Sequence, residues 1–370
     1  MKLPKIKVNQ LGQAAEAAFN AGRTFSLYSQ GGTGKTTVLK DVVAPYLGIM
    51  PENIWLVNLS GAAPQECLGY GIPDAATRDM WFSRPEIWPT PDRVPDGTKT
   101  MLILDEQSDY DPAVNSLLRG LWNPTGGRRM VGSHGLTSPD GKDLFICSTG
   151  NRRSDGSSRS GIPSAPQVER ACSYELEPDL NGWLDWASKH DQIKHSPLLA
   201  FLAFSNGLEG VDHFCPAISQ PWDGSPHPCP RTWEAAALQE RYLESRNAEG
   251  SLVSMAIRSS VGEQAGNAAF AFRETVHRDL PLLADIRAKK EQLPQDDPGR
   301  QYGLVYTAIR QACRECGDDP EAAVAGGNLD WLVDLILECA GDIRMWAYGA
   351  ALRIDLPLDQ HPKRSQLQGV

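Results

Sequence analysis

The chain has 370 residues, 41% of them hydrophobic, and 36 basic against 46 acidic side chains give a formal net charge of −10. That length admits two or three domains of roughly 100–200 residues each, and the apolar fraction excludes wholesale disorder. The acidic balance argues against bulk, charge-driven binding to nucleic acid or to an anionic membrane, while leaving room for a local basic patch.

No apolar run approaches the roughly 18 residues of a membrane span, and "MKLPKIKVNQ" lacks the apolar core of a signal peptide, so the expected compartment is the cytoplasm. The eight cysteines are scattered and read as free thiols of a reducing compartment. "CREC", Cys313 to Cys316, has no second pair and no βαβ context, and reads as a helical surface pair rather than a redox centre.

"TFSLYS" is rich in β-branched and aromatic residues, a short buried strand near 24–29. "SQGGTGKTT" follows, and then "KTTVLKDVVAPYLG", helical by pattern until Pro45 and Gly48 break it. Strand, Gly-rich loop and helix is the context of a phosphate-binding loop. Gly31, Gly32 and Gly34 let the backbone curl so that its N–H groups face phosphate oxygens at a helix N-terminus. With Thr33 and Thr37 they form the expected nucleotide cradle, in which Lys35 reaches the β and γ phosphates and the Thr36 hydroxyl ligates Mg²⁺. Ser29 stands where G-x-x-x-x-G-K-[ST] has its first glycine, a position that mainly turns the chain out of the strand.

A second strand is expected near 53–59, followed by about forty residues dense in Pro, Gly and aromatics, including Trp81, Phe82 and Trp88. Met101 to Leu104 then form a continuous apolar run, the mark of a strand buried on both faces, near 100–105. It ends in Asp105-Glu106, placing Asp105 to hold Mg²⁺ and Glu106 to polarise an attacking water. Asp111-Pro112 reads as a helix N-cap with proline at the first helical position. "NPTGGRRMVGSHGLTSPDGKDLF" reads as a hairpin with Gly-Gly and Asp-Gly turns, and Arg128 and Arg129 give it a basic tip. The next apolar run, near 143–149, ends at Asn151, which either orients water and senses the γ-phosphate or caps the following turn. A fifth strand is expected near 172–177.

Beyond it come Trp183, Trp186 and the helix "SPLLAFLAFS", then a loose stretch leading to Arg231 in "CPRTWE". His213, Cys215, His227 and Cys229 in that stretch are zinc-compatible donors, but H-x-C is not the usual two-to-four-residue ligand spacing. From Ser251 the chain is helical, and Trp331, Leu332, Leu335, Ile336 and Trp346 read as core.

In this order, loop, "LILDE", "STGN", "SAPQVERACSYELEP" and "PCPRTWE", the chain resembles an AAA+ ATPase and is more narrowly similar to the MoxR branch, whose loop usually reads G-P-P-G-T-G-K-T. The resemblance covers about residues 8–250. It implies an α/β class: a five-stranded parallel P-loop sheet with helices on both faces, then a helical lid and a mostly helical C-terminal extension. The expected domains are 1–178 (insertion about 61–98, hairpin about 123–145), a lid over 179–250 and an extension over 251–370.

The resemblance further implies ATP and Mg²⁺ as cofactors, Lys35 and Thr36 in the loop, Asp105 and Glu106 as the acid pair, and Asn151 as first sensor. Glu169-Arg170 falls where the family has Asp-Arg-Phe, its arginine finger acting on the neighbouring subunit's nucleotide; Ala171 replaces the phenylalanine, and Arg152, Arg153 and Arg159 are nearby alternatives. Arg231 matches the lid's second sensor. A ring is implied, hexameric by family expectation, with a protein client and often a von Willebrand factor A domain protein as partner. In MoxR relatives the insertion can project toward the pore, so Trp81, Phe82 and Trp88 either grip a client or pack the insertion onto its own domain. Many phage genomes carry proteins of this build, which would make the compartment the host cytoplasm.

The leading expectation is an oligomeric, Mg²⁺-dependent ATPase that remodels a protein partner. The alternatives are a nucleic-acid motor or loader, which the charge disfavours, and a nucleotide-dependent scaffold or switch.

Overall fold

The computed structural model describes residues 3–122, 127–152, 169–194, 196–205, 212–218, 224–278, 280–288, 291–316, 320–339, 341–353 and 356–368. The chain divides into two compact units, Met1–Asp179 with Ala217–Asp223, and Leu180–Pro216 with Gly224–Val370.

The first unit has an α/β P-loop fold. Its strands are β1 (Lys5–Ile6), β2 (Thr24–Ser29), β3 (Ile54–Asn58), β4 (Gly71–Pro73), β5 (Met80–Phe82), β6 (Thr100–Asp105), β7 (Met130–Val131), β8 (His134–Gly135), β9 (Leu144–Asn151) and β10 (Ala171–Leu176). Six of them form one sheet in the order β1-β10-β2-β9-β6-β3. Every neighbouring pair in it is parallel. The five strands expected from the sequence are its body, and the two-residue β1 adds a sixth at the edge.

Parallel pairing demands helical crossovers that cover both faces. On one face Phe25, Leu27, Met101, Ile103, Phe145 and Cys147 pack with Leu11, Ala15 and Ala18 of the helix Leu11–Asn20 and with Leu39, Val43 and Ala44 after the loop. On the other, Leu102, Leu104, Leu144 and Ile146 pack with Val114 of the helix Pro112–Leu117, with Leu118, and with Trp88. β2 lies between β9 and β10, so the chain leaves it toward one side of the sheet and returns on the other. Crevices at the carboxyl ends of such strands are where open α/β sheets bind ligands.

Four local outcomes refine the sequence reading. The helix after the loop passes through Pro45 to Tyr46 instead of stopping there. It widens into a π turn over Leu39–Val43, which accommodates a proline that cannot donate its i→i−4 bond. Asp111 caps its helix by accepting from the Ala113 N–H at 2.8 Å, with Pro112 at the first helical position.

The hairpin strands β7 and β8 pair Val131 with His134, so their connecting turn is at 132–133. The Asp140-Gly141 pair closes a separate turn, with Gly141 N–H donating to the Ser138 carbonyl at 3.1 Å, and Gly126 of the Gly-Gly pair lies outside the described residues. Its basic tip does not exist: Arg129 is buried and donates to the Leu121 carbonyl, and Arg128 grips Asp96 at 2.8 Å. That contact holds the Asp96 carboxyl below its usual range. The insertion's aromatics divide. Trp88 is fully buried and donates its indole N–H to the Cys67 carbonyl at 2.8 Å, whereas Trp81 and Phe82 on β5 are exposed.

The second unit is helical. One core gathers Trp233, Phe201, Val253, Ile257 and Phe272; another gathers Leu332, Leu335, Ile336, Ile309 and Ala347, with Trp331 and Trp346 against it. The helix Pro298–Cys316 supplies Tyr306 to the first and Val305 and Ile309 to the second. Inside the first core, Glu240 accepts from Arg273 Nε at 3.0 Å and from the Ser196 hydroxyl at 3.1 Å. Among the described residues no helix is long and apolar enough to cross a membrane.

Candidate nucleotide site

β2 ends at Ser29, and its hydroxyl meets that of Thr33 across the loop and reaches the Gln30 carbonyl at 3.2 Å. Thr33 Oγ1 also donates to Gln30 O at 3.0 Å. Ser29 is not among the residues with positive φ, so glycine's conformational freedom is not required there. Positive φ occurs at Gly32 (75°) and Gly34 (89°). A Cβ added at Gly31 or Gly34 would meet nothing within 4 Å, so the space beside the loop at those two positions is open.

Lys35 is buried behind that loop, and its ammonium donates to Gln30 O at 3.0 Å, to Ser29 O at 3.3 Å and to Asn151 Oδ1 at 3.0 Å. Asn151 ends β9, beside Ser29 in the parallel register. Its backbone N–H is held by the Ser108 hydroxyl at 3.0 Å.

Thr36 Oγ1 donates to Asp105 Oδ1 at 2.6 Å. Thr149 Oγ1 donates to the same oxygen, also at 2.6 Å, and accepts from the Glu106 N–H at 3.0 Å. Glu106 takes a left-handed backbone, φ 53° and ψ 36°, which costs a non-glycine residue on the order of 1–2 kcal/mol. The turn throws its side chain toward β3, where Asn58 Nδ2 donates to Glu106 Oε2 at 3.1 Å. Asn58 is itself anchored through Oδ1, which accepts the Ser60 N–H at 2.8 Å.

Lys35, Thr36, Asp105, Glu106 and Asn151 therefore meet at the carboxyl edge of the sheet, around the open loop; Thr37 is exposed on the helix just beyond it. The donor set of a hydroxyl and a carboxylate is hard oxygen chemistry and suits Mg²⁺.

Arg170 is not part of this group. It precedes Ala171, which pairs with Thr24 at the amino end of β2, so the length of β10 separates it from the loop, roughly 20 Å for six residues. It is exposed, and its position is fixed by Arg23 Nη1, which donates to the Glu169 carbonyl. Arg152 pairs with Glu175 at 2.8 Å. Arg153 and Arg159 lie outside the described residues. Arg231 is exposed at the second position of the helix Pro230–Ser245, in the helical unit.

Among the described residues, no three His, Cys, Asp or Glu side chains come together as a metal site. Cys215 and Cys229 are buried in the helical core, and the Trp233 indole donates to the His213 carbonyl at 2.9 Å.

Asn58, Ser108 and Thr149 were not singled out from the sequence. Thr149 had a signal, since it lies two residues before Asn151 and so shares a strand face with it. Asn58 had a weaker one, as the polar last residue of an apolar strand.

No family model and no curated protein matches the chain. Among solved structures it is similar to Hsp104 in a closed state with ATPγS and FITC casein, at 16% identity and a TM-score of 0.31, over 46% of this chain and 33% of that one. The chain thus spans about a third of Hsp104. It is also similar to NtrX from Brucella abortus in complex with ATP, at 12% identity and a TM-score of 0.36, over 90% of this chain and 69% of that one. The NtrX complex with ADP gives 12% identity and 0.36, over 88% and 68%. With TM-scores below 0.5, these stand as likenesses only; the fold rests on strand order and loop geometry.

Proposed function

We propose that this chain is a Mg²⁺-dependent ATPase of the AAA+ kind, working as a ring and coupling hydrolysis to remodelling of a protein partner. The observation that carries the reading is the convergence of Lys35, Thr36, Asp105, Glu106 and Asn151 around an open glycine loop. Adenine rather than guanine is favoured because the sequence has no N-K-x-D element.

Gly31, Gly32 and Gly34 present backbone N–H groups to the phosphates, and Lys35 donates to the β and γ oxygens. Thr36 and Asp105 would hold Mg²⁺, which when bound offsets phosphate charge. Glu106 accepts the proton of the attacking water as the new P–O bond forms at the γ-phosphorus. The bond to the β-bridging oxygen breaks, and ADP leaves with its electron pair. Asn151 orients the water or the γ-phosphate.

Arg170 is read as the finger that acts on a neighbour's nucleotide, a role that would make hydrolysis depend on assembly; its exposed position away from its own loop supports that reading. Arg231 is assigned to the γ-phosphate of its own subunit by the family resemblance, as are the hexamer and a von Willebrand factor A domain protein as partner class. The nucleic-acid reading is weakened at three of the four arginines it leaned on, because Arg129 is buried and Arg128 and Arg152 are paired; the fourth, Arg153, lies outside the described residues.

The test is Glu106→Gln, expected to bind ATP and to turn it over at least about a hundredfold more slowly. Mass photometry of that variant with ATP and Mg²⁺, with and without short DNA, is expected to show a ring-sized species that needs ATP and not DNA. Normal turnover in the variant would overturn the assignment of Glu106, and monomers throughout would overturn the ring.

A further inference from the structure

The hydroxyl of Thr149 bonds to both members of the acid pair. It donates to Asp105 Oδ1 and accepts from the backbone N–H of Glu106. Thr149 is almost wholly buried, at 2% exposure, so water does not substitute readily for either bond. A hydroxyl has one hydrogen, and Asp105 takes it; the lone pair left over is what the Glu106 N–H meets.

The geometry of the sheet explains why this residue can do both. Leu104 pairs with Ser148, so the next step along β6 and β9 brings Asp105 level with Thr149. Ile103 and Cys147 precede them on the same face and belong to one apolar core, so Asp105 and Thr149 are the polar continuation of a buried stripe. Asp105 Oδ1 then receives two hydroxyl hydrogens, from Thr36 on the loop helix and Thr149 on β9. The carboxylate is held from both sides. On the other arm, the bond from Glu106 N–H stabilises the left-handed backbone that turns the Glu106 side chain toward Asn58.

We propose that Thr149 is a positioning residue for this site, setting both the carboxylate orientation of Asp105 toward the metal and the backbone turn that aims Glu106. It touches neither nucleotide nor metal; it acts through its two neighbours. This rests on the ATPase reading above, and deepens it by assigning a residue outside the loop and the acid pair.

The experiment compares wild type, Thr149→Val, Thr149→Ser and Glu106→Gln. A fluorescent ATP analogue is titrated with Mg²⁺ and with EDTA, and ATP turnover and thermal melting are measured alongside. Thr149→Val keeps the shape and removes the hydroxyl. It is expected to bind the analogue in EDTA as wild type does, to lose most of the affinity that Mg²⁺ adds, and to turn over roughly ten- to a hundredfold more slowly, the effect of one lost charge-assisted hydrogen bond. Thr149→Ser keeps the hydroxyl and is expected within about threefold of wild type in every readout.

Unchanged Mg²⁺ dependence in Thr149→Val overturns the proposal, and so does a Thr149→Ser variant as impaired as Thr149→Val, since the methyl group would then be what matters. If Thr149→Val does not fold, the serine variant decides by the same criterion. The Mg²⁺-dependent binding readout needs no hydrolysis. A wild type that binds nucleotide without splitting it therefore refutes the ATPase reading while Thr149 is still tested, and a wild type that binds none refutes both.

Discussion

Thr36 Oγ1 donates to Asp105 Oδ1 over 2.6 Å, joining two residues 69 positions apart. Because the hydrogen points at the carboxylate, the hydroxyl's lone pairs face elsewhere, ready for a cation. Asp105→Asn replaces a charged acceptor with a neutral amide, whose oxygen can still accept from both hydroxyls but carries no charge for a cation. Its nucleotide affinity is expected to become nearly independent of Mg²⁺, with turnover down at least about a hundredfold. Titration of a fluorescent ATP analogue with and without Mg²⁺ checks this, and retained Mg²⁺ enhancement would count against Asp105 as a ligand.

Lys35 has three hydrogens to give, and its partners among the described residues include three oxygens at 3.0–3.3 Å. A phosphate that takes the ammonium competes with them, and Asn151 is the side chain among these three. Lys35→Ala is expected to lose nucleotide binding by about tenfold or more. Asn151→Ala removes a competitor for the ammonium, so binding is expected to hold or tighten while turnover falls about tenfold or more. Equal losses of binding in both variants would contradict that division of roles.

The serine at position 29 is tolerated because its backbone does not need φ above zero and its hydroxyl has partners in the loop. Ser29→Gly is expected to keep nucleotide binding and to shift stability by only about 1 kcal/mol. Gly34→Ala puts a Cβ on a backbone at φ 89° and is expected to lose binding even though that Cβ meets no neighbour. Thermal melts and nucleotide titrations on the two variants separate strain from space.

Arg170 stands at the amino end of β10, away from its own loop. Arg170→Ala is expected to bind ATP and not split it, and mixing it with Lys35→Ala should restore part of the activity when copies contact each other. Assembled mixtures that stay inactive would remove Arg170 from the role of a finger in trans.

In the helical unit, Glu240 is fully buried with Arg273 as its ion-pair partner, Ser196 as a second donor and Glu244 as a like charge nearby. Removing one partner of a buried pair leaves the other uncompensated, so Arg273→Ala is expected to destabilise the protein by about 3–5 kcal/mol. Burial outweighs Arg273 and raises the Glu240 carboxyl above its ordinary value. A raised acid binds more protons folded than unfolded, so its contribution is complete below the unfolded value and is lost as pH rises through the folded one. Urea melts across the carboxylate range are expected to show that fall, and Glu240→Gln is expected to flatten it.

What the sequence determined by itself was local. The runs "TFSLYS", "MLIL" and "LFICSTG" became β2, β6 and β9 because four to eight apolar residues bounded by turn formers leave a chain little alternative. The glycine loop, the acid pair and the Asp111 cap depend on backbone preferences within a few residues, and they too were legible. Strand order decided the rest. Thr149 reaches Asp105 and Asn58 reaches Glu106 because β6 lies between β9 and β3, neighbours set by crossovers tens of residues long. The same long-range packing buried Arg129 and Trp88, left Trp81 exposed and carried Arg170 to the far end of the sheet. Periodicity tells a residue which face it is on; only the folded sheet tells it who stands opposite.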